Sequence, residues 1–215
     1  MKLVLLGPPG AGKGTQAVKL SEKLGIPTIS TGEIIRNAIK NETPVGKIAK
    51  DTIERGELVS DELVLEIVKD RLKDDDCKDG YILDGFPRTL AQAEMMQSVE
   101  NNIGVDFVIN IDVSDDEIVS RLSGRRVCPS CGKTYHVVSL PSSCGDKCEA
   151  CGEKLIVRKD DSPEVILNRL KVYHELTAPL TRFYDEQKIL YTVKGAESLD
   201  AVTAQVMDIV GRQRR

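Results

Sequence analysis

Apolar residues along this chain fall into short solid runs separated by helically spaced ones. Leu3-Val4-Leu5-Leu6 is an uninterrupted run that predicts a short buried strand, and Ala17, Leu20 and Leu24 then recur on one face of a helix over Lys13 to Leu24. Further strands are predicted at Thr28-Ile29-Ser30, Tyr81-Ile82-Leu83, Phe107 to Ile111 and Ile189 to Val193. Helical patterns lie between them near 33–40, 44–55, 61–72, 89–100, 114–123, 163–187 and 199–211. Strands alternating with helices imply a parallel sheet covered on both faces and wound right-handed, a doubly wound α/β core of five strands. One stretch breaks the rhythm. From about Gly124 to Asp161 there are cysteines, glycines and prolines with little apolar material, which reads as an insertion.

Composition narrows the class. A chain of 215 residues, 40% of them hydrophobic, suits one large domain or one domain carrying insertions. No apolar run approaches the about 18–20 residues of a membrane span, and the opening Met1 to Leu6 is cut off by Gly7-Pro8-Pro9-Gly10 before it reaches the length of a signal h-region. The expectation is a cytoplasmic protein with no membrane partner. Thiols are kept reduced there, so six cysteines need an explanation other than disulfides. A net charge of −4 argues against non-specific nucleic-acid binding while leaving room for a local basic cleft.

The first chemical motif stands where such a fold places phosphate sites. Gly7-Pro8-Pro9-Gly10-Ala11-Gly12-Lys13 matches G-x-x-x-x-G-K between a predicted strand and a predicted helix. The glycines let successive N–H groups converge on phosphate oxygens, the helix N-terminus adds partial positive charge, and Lys13 is expected to reach the β- and γ-phosphates. Gly14 stands where the general motif has a magnesium-holding Ser or Thr, and Thr15 follows it. Asp84 ends an apolar strand, the position from which a carboxylate holds Mg²⁺ directly or through water. With no hydroxyl at 14, water-mediated contact from Asp84 is expected, and Thr15 is the weaker ligand.

Four cysteines form a second motif. Cys128-Pro-Ser-Cys131-Gly and Cys148-Glu-Ala-Cys151-Gly are spaced C-x₂-C-x₁₆-C-x₂-C, a zinc pattern in which four thiolates leave no open position, so the ion would be structural. Tyr135, Val137, Val138 and Leu140 are too few to form a core, and metal binding would supply much of the segment's folding energy. A rubredoxin-like iron or an iron–sulfur cluster fits the same ligands as an alternative. Cys144 can replace Cys148 in a slipped arrangement but is read as a spare exposed thiol, Cys77 as an ordinary one, and His136 is left outside the ligand set.

Gly7 to Thr15 resembles the phosphate loop of nucleoside monophosphate kinases, and Gly80-Tyr81-Ile82-Leu83-Asp84-Gly85-Phe86-Pro87-Arg88 with Gln92 resembles the adenylate kinase family. The likeness continues through Ser30-Thr31-Gly32, Arg36, Gly124-Arg125-Arg126, Arg158-Lys159-Asp160-Asp161 and Arg169, over essentially the whole chain. It implies a P-loop NTPase fold with a core over 1–29, 60–123 and 162–215, a helical AMP-binding insert at 30–59, and a small zinc-binding β lid at 124–161. It also implies reversible, Mg²⁺-dependent phosphoryl transfer from ATP to AMP giving two ADP, which balances adenine nucleotides and salvages AMP, by a monomer.

The resemblance assigns ATP contacts to Gly10, Ala11, Gly12, Lys13, Gly14, Thr15, Arg125, Thr134, Tyr135 and Ala196, with Thr134 and Tyr135 acting by backbone or ring stacking. Arg36 and Arg88 would hold the AMP phosphate, and Arg158 and Arg169 would bridge donor and acceptor phosphates. Thr31, the backbone of Glu57, Leu58 and Val59, and the Gly85-Phe86-Pro87 turn would complete the AMP site. Lys13, Arg88, Arg125, Arg158 and Arg169 are thereby the catalytic set. No general base is needed, because the attacking phosphate oxygen is already anionic. A glutamine amide can donate to adenine N1 and accept from N6–H, whereas guanine presents the opposite pattern, so Gln92 favours AMP. Other acceptors (GMP, CMP, UMP), a nucleotide-binding zinc protein without transferase activity, and a zinc-ribbon nucleic-acid module are the competing readings.

Overall fold

The computed structural model describes residues 1–98, 100 and 102–213. Five parallel strands, β1 (Lys2–Leu6), β2 (Thr28–Ser30), β3 (Tyr81–Asp84), β4 (Phe107–Asp112) and β7 (Leu190–Lys194), form one sheet in the order β2-β3-β1-β4-β7. The helices between them are α1 (Lys13–Leu24), α2 (Thr31–Lys40), α3 (Pro44–Glu54), α4 (Asp61–Arg71), α5 (Leu90–Gln97) and α6 (Asp115–Gly124). After a small antiparallel pair, β5 (Arg125–Val127) and β6 (Thr134–His136), come α7 (Pro163–Val172), α8 (Pro179–Glu186) and, beyond β7, α9 (Leu199–Gln213).

The period-2 alternation of strand side chains divides the core in two. Leu3 and Leu5 of β1 join a cluster with Ala17 and Leu20 of α1, Ile118 and Leu122 of α6 and Val206 of α9. Val4 and Leu6 of the same strand enter the opposite cluster with Val68 of α4, Met96 of α5 and Leu180 and Tyr184 of α8. Both faces of β1 are therefore buried, which is why its sequence is solidly apolar. The chain leaves β1 toward β3 and β2 on one side and returns to β4 and β7 on the other. The carboxyl end of β1 is thus the switch point where a crevice opens.

Differences from the predicted elements are local. The single helix expected over 163–187 is interrupted by one wide turn, Tyr173–Thr177, before α8. Pro179 has no N–H for the helical ladder and clashes with the carbonyl four residues back, and the ladder widens so that Ala178 N–H reaches the Tyr173 carbonyl at 2.8 Å. The last strand begins one residue late, although the Ile189 carbonyl still accepts from Val108 at 2.8 Å. Residue 99 of the helix expected over 89–100 lies outside the described residues, and α5 ends at Gln97. Among the described residues no helix is long and apolar enough to cross a membrane.

Candidate active site

The loop from Gly7 to Gly12 joins the carboxyl end of β1 to the first residue of α1, Lys13. The Lys13 ammonium folds back and donates to the carbonyls of Gly7 and Pro8 at 2.7 and 2.8 Å. Burial pushes it down to about 8; Asp84 opposes the shift while Arg88, Arg169 and Arg125 add to it. A poorly solvated cation at a helix N-terminus favours an anionic ligand strongly. Thr15 follows in the first turn of α1 and is half-buried. Asp84 closes β3, where its Oδ2 accepts from the Ser30 hydroxyl at 3.2 Å. The same oxygen lies 3.5 Å from where a Cβ on Gly14 would stand, so the carboxylate faces the loop. An oxygen donor set of this kind fits a hard cation such as Mg²⁺.

Six cations converge on this crevice. The guanidiniums of Arg36 and Arg88 meet beside Gly32, where a Cβ would lie 3.0 Å from one and 3.5 Å from the other. Arg125 donates through Nε to Asp161 at 2.8 Å, and its Nη2 binds the other carboxylate oxygen, a bidentate pair. Arg169 donates to the Asp160 carbonyl at 2.9 Å, to the Asp160 carboxylate at 3.1 Å and to Asp161 at 3.2 Å. The side chain of Asp161 has 0% exposure, so two arginines are held by one fully buried carboxylate. Asp160 loses solvation by burial, yet Arg169, Arg125, Arg36 and Arg158 together hold its carboxyl below the usual range. Burial and then the Arg169 charge push Arg88 down to about 10, and burial with Arg125 and Arg36 pushes Arg158 down to about 9. Among the described residues neither Arg36 nor Arg158 has a hydrogen-bonded acceptor on its guanidinium. The cleft holds more positive charge than the protein neutralises.

The Gly85 carbonyl gathers the neighbouring site, accepting from Thr31 Oγ1 at 2.7 Å and from Arg88 Nε at 2.8 Å. Only glycine fits there, since φ is +78° and a Cβ would press on Arg88 Nη2 at 2.8 Å. Phe86 is fully buried in the core, and Pro87 follows it through a cis bond. Gln92 is 1% exposed, with Oε1 accepting from Arg88 N–H at 2.7 Å and Nε2 donating to Asp61 at 2.8 Å. The turn before α4 brings Gly56 against the stem of Arg169; Val59 is buried, Leu58 half-buried, and Glu57 is turned outward to pair with Arg55 at 2.8 Å.

The cysteine segment leans over the cleft, with Lys40 donating to the Pro129 carbonyl and Lys159 pairing with Glu54, both at 2.9 Å. Its two Cys-x-x-Cys-Gly turns are built alike: Gly132 N–H bonds the Cys128 carbonyl at 3.0 Å, Gly152 N–H bonds the Cys148 carbonyl at 2.8 Å, and both glycines have positive φ, +77° and +74°. Sulfur atoms of Cys128, Cys131, Cys148 and Cys151 all lie within 4.8 Å of one another. Four sulfurs around one zinc at about 2.3 Å would stand about 3.8 Å apart, so the cluster fits Zn²⁺ in size and in donor type. Cys144 is exposed and Cys77 is buried, both outside the cluster. His136 is also outside it, its Nδ1 accepting from the N–H groups of Val138 and Ser139 at 3.1 Å.

Of the two contacts expected of Tyr135, by backbone or by ring stacking, its burial disfavours the ring and leaves the backbone. Its ring is 3% exposed within the sulfur cluster, and its hydroxyl lies 3.3 Å from Cys148 Sγ and accepts from Glu149 N–H at 3.0 Å. A segment this poor in apolar residues spends its one large aromatic on its own core. Thr134 is exposed at the start of β6, and Ala196 is exposed in the turn after β7. Arg121 was not singled out from sequence. It donates to the Gly195 carbonyl at 2.7 Å and to Ala11 at 3.4 Å, tying that turn to the phosphate loop. Asp61 was also not singled out: at the start of a helix it reads as an N-terminal acidic residue and nothing more.

A phosphate loop at the switch point of a doubly wound sheet, facing a second cationic site across one cleft, defines a P-loop kinase of the nucleoside monophosphate class. The family model for adenylate kinase matches residues 5–189. An adenylate kinase of Lachnospira eligens is 50% identical over 213 residues, covering 98% of this chain and 100% of the relative; one of Agathobacter rectalis is 49% identical with the same coverage. One of Caldicellulosiruptor saccharolyticus is 49% identical over 98% of this chain and 99% of the relative. The chain belongs to the adenylate kinase family, the ATP:AMP phosphotransferases.

Proposed function

We propose that the residues gathered in this cleft carry the family's reaction, transfer of the ATP γ-phosphoryl group to AMP to give two ADP, as follows. The attacking AMP phosphate oxygen forms a bond to the γ-phosphorus while the bond from phosphorus to the β,γ-bridging oxygen breaks, and the leaving ADP keeps the electron pair. No proton has to move, and the task is positioning and charge. The loop N–H groups of Gly10, Ala11, Gly12, Gly14 and Thr15 hold the ATP phosphates, with Lys13 on the β- and γ-oxygens. Arg36 and Arg88 hold the AMP phosphate, Arg125 lies over ATP, and Arg158 and Arg169 span the two as charge spreads. Thr31, the backbone of Glu57, Leu58 and Val59, Gly85 and Gln92 enclose the acceptor, and Thr134, the Tyr135 backbone and Ala196 border the donor. Mg²⁺ bound with ATP supplies further neutralisation of the β and γ oxygens, and Asp84 would hold it, directly or through water. Cys128, Cys131, Cys148 and Cys151 would hold a structural Zn²⁺, which suits a reducing cytoplasm.

In this reading 30–59 and 124–161 move against the core of 1–29, 60–123 and 162–215. Substrate-induced lid closure is a known property of adenylate kinases. Here it would exclude water, so that AMP and not water is phosphorylated.

The observation that carries the assignment is the convergence of Lys13, Arg36, Arg88, Arg125, Arg158 and Arg169 in one cleft, several of them undersolvated and two without a hydrogen-bonded acceptor among the described residues. Incubation with Mg-ATP and each of AMP, GMP, CMP and UMP, followed by nucleotide chromatography, tests it. ADP accumulates with AMP alone; equal turnover of another acceptor, or ATP hydrolysis without one, would sink the reading.

A further inference from the structure

We infer that Asp61 is a specificity-positioning residue: with the Arg88 backbone N–H it locks the Gln92 amide in the one orientation that accepts adenine and rejects a 6-oxopurine. The inference rests on Gln92 facing the acceptor base.

Gln92 sits in the first turn of α5, where its own N–H caps onto Thr89 Oγ1 at 3.0 Å while its side chain folds back toward Arg88. Oε1 accepts from Arg88 N–H at 2.7 Å and Nε2 donates to Asp61 Oδ1 at 2.8 Å. Chemistry fixes which end is which. A backbone N–H can only donate and a carboxylate can only accept, so a flipped amide would meet two repulsive contacts. The anchors are themselves held. The Arg88 carbonyl accepts from Thr177 Oγ1 at 2.7 Å and its Nε bonds the Gly85 carbonyl, while Asp61 opens α4 behind the Ser60 cap, at the positive end of that helix.

An amide offers two N–H groups and two principal acceptor sites on its oxygen. The lock consumes one of each, leaving one donor and one acceptor in a fixed spatial order. Adenine presents the N1 acceptor and the N6 amine donor. A 6-oxopurine presents N1–H and O6 at the same two positions with the roles exchanged, and Gln92 could match it only by the flip that Asp61 and Arg88 forbid. The discriminating element is therefore the pair of groups behind the glutamine as much as the glutamine itself.

The test is steady-state kinetics with AMP and with inosine monophosphate, a 6-oxopurine lacking the 2-amino group, for the wild type and for D61A, D61N, D61E and Q92L. For D61A the AMP KM rises about tenfold while kcat stays within about twofold, and the AMP-to-IMP ratio of kcat/KM falls about tenfold. D61N, which keeps the packing and can offer an N–H to a flipped amide, also lowers the ratio and serves should D61A fold poorly by its melting curve. D61E recovers most of the ratio by restoring the carboxylate. An unchanged ratio in D61A and D61N alongside a collapsed ratio in Q92L overturns the role of Asp61 and leaves the Gln92 reading standing. An unchanged ratio in Q92L overturns both. Equal losses toward AMP and IMP in the Asp61 variants mean a structural role and also overturn the proposal.

Discussion

The parallel-sheet core and the four-cysteine segment obtain their order from unlike sources. In the core, alternate residues of one strand enter two separate apolar clusters, and Leu3, Val4, Ile82, Leu83, Val108 and Ile109 are all fully buried. In the segment from 124 to 161, Val137, Val138, Leu140, Ile156 and Val157 are exposed, and the buried cluster is Cys128, Tyr135 and Cys148 with Leu155 packed against it. Burying one large aliphatic side chain stabilises a fold by ~1.5–3 kcal/mol, so the core has ample apolar support and the segment has little. The proposed metal ligation at Cys128, Cys131, Cys148 and Cys151 would make up the difference, and would do so locally. A region whose stability depends on its own sulfur cluster can swing as a unit without loosening the sheet, which suits a cover over a reactive cleft.

The strongest way to break that comparison is to remove the metal. Chelation, or Cys148→Ser, is expected to unfold 124–161 while leaving the sheet intact, because structural zinc supplies on the order of 10 kcal/mol in domains that small. Hydrogen exchange checks it: amides of 124–161 lose protection while those of β1 and β4 keep theirs, and uniform loss across both regions contradicts the division. Next in size, Arg158→Ala should lower kcat about a thousandfold or more, as removal of arginines that span transferring phosphates does, with zinc content and melting unchanged. A loss confined to KM would mean that Arg158 only binds. From the core side, Leu5→Ala should destabilise the whole enzyme by about 3 kcal/mol through cavity formation and leave zinc affinity unaltered, measured by denaturant unfolding and zinc titration in parallel. A shift in zinc affinity would join the two regions into one cooperative unit.

The smallest effect is on pH. Lys13 in the folded chain titrates at about 8, below its ordinary 10.5, so its burial cost is present in full below about 8 and is relieved as pH rises through that value. Between the two values the unfolded chain holds more protons and stability rises with pH. Activity runs the other way. The ratio kcat/KM for ATP should fall about tenfold per unit above pH 8, since it reports the free enzyme, while kcat at saturating ATP persists to higher pH because the nucleotide's charge holds the proton on Lys13. A flat kcat/KM profile to about pH 9.5 would show that Lys13 keeps its proton through this range or that ATP binding does not depend on it.

Short-range features were legible in the residues themselves. The strand Leu3–Leu6 and the helix from Lys13 emerged where their apolar spacing placed them, and the Cys-x-x-Cys-Gly pairs folded into two matching turns, because each depends on backbone geometry within a few residues. The break at Tyr173–Thr177 was obscured by an apolar period that runs straight through it, although Pro179 carried the signal. The choice between backbone contact and ring stacking at Tyr135 was not legible for a different reason: a tyrosine's preference between ligand and core depends on what else is present to fill the core, and here almost nothing is.

By itself, then, the sequence determined the order of elements, the phosphate loop, the sulfur ligands and the family resemblance, since motifs and periods are written in neighbouring residues. Only the tertiary structure decided that Arg125 and Arg169 share Asp161, that Arg36 and Arg158 face the cleft without hydrogen-bonded acceptors among the described residues, and that Asp61 stands behind Gln92 across a separation of 31 positions. Those relations depend on how crossovers bring distant segments to one end of the sheet, where hydrogen-bond donors and acceptors meet whatever the fold sets opposite them.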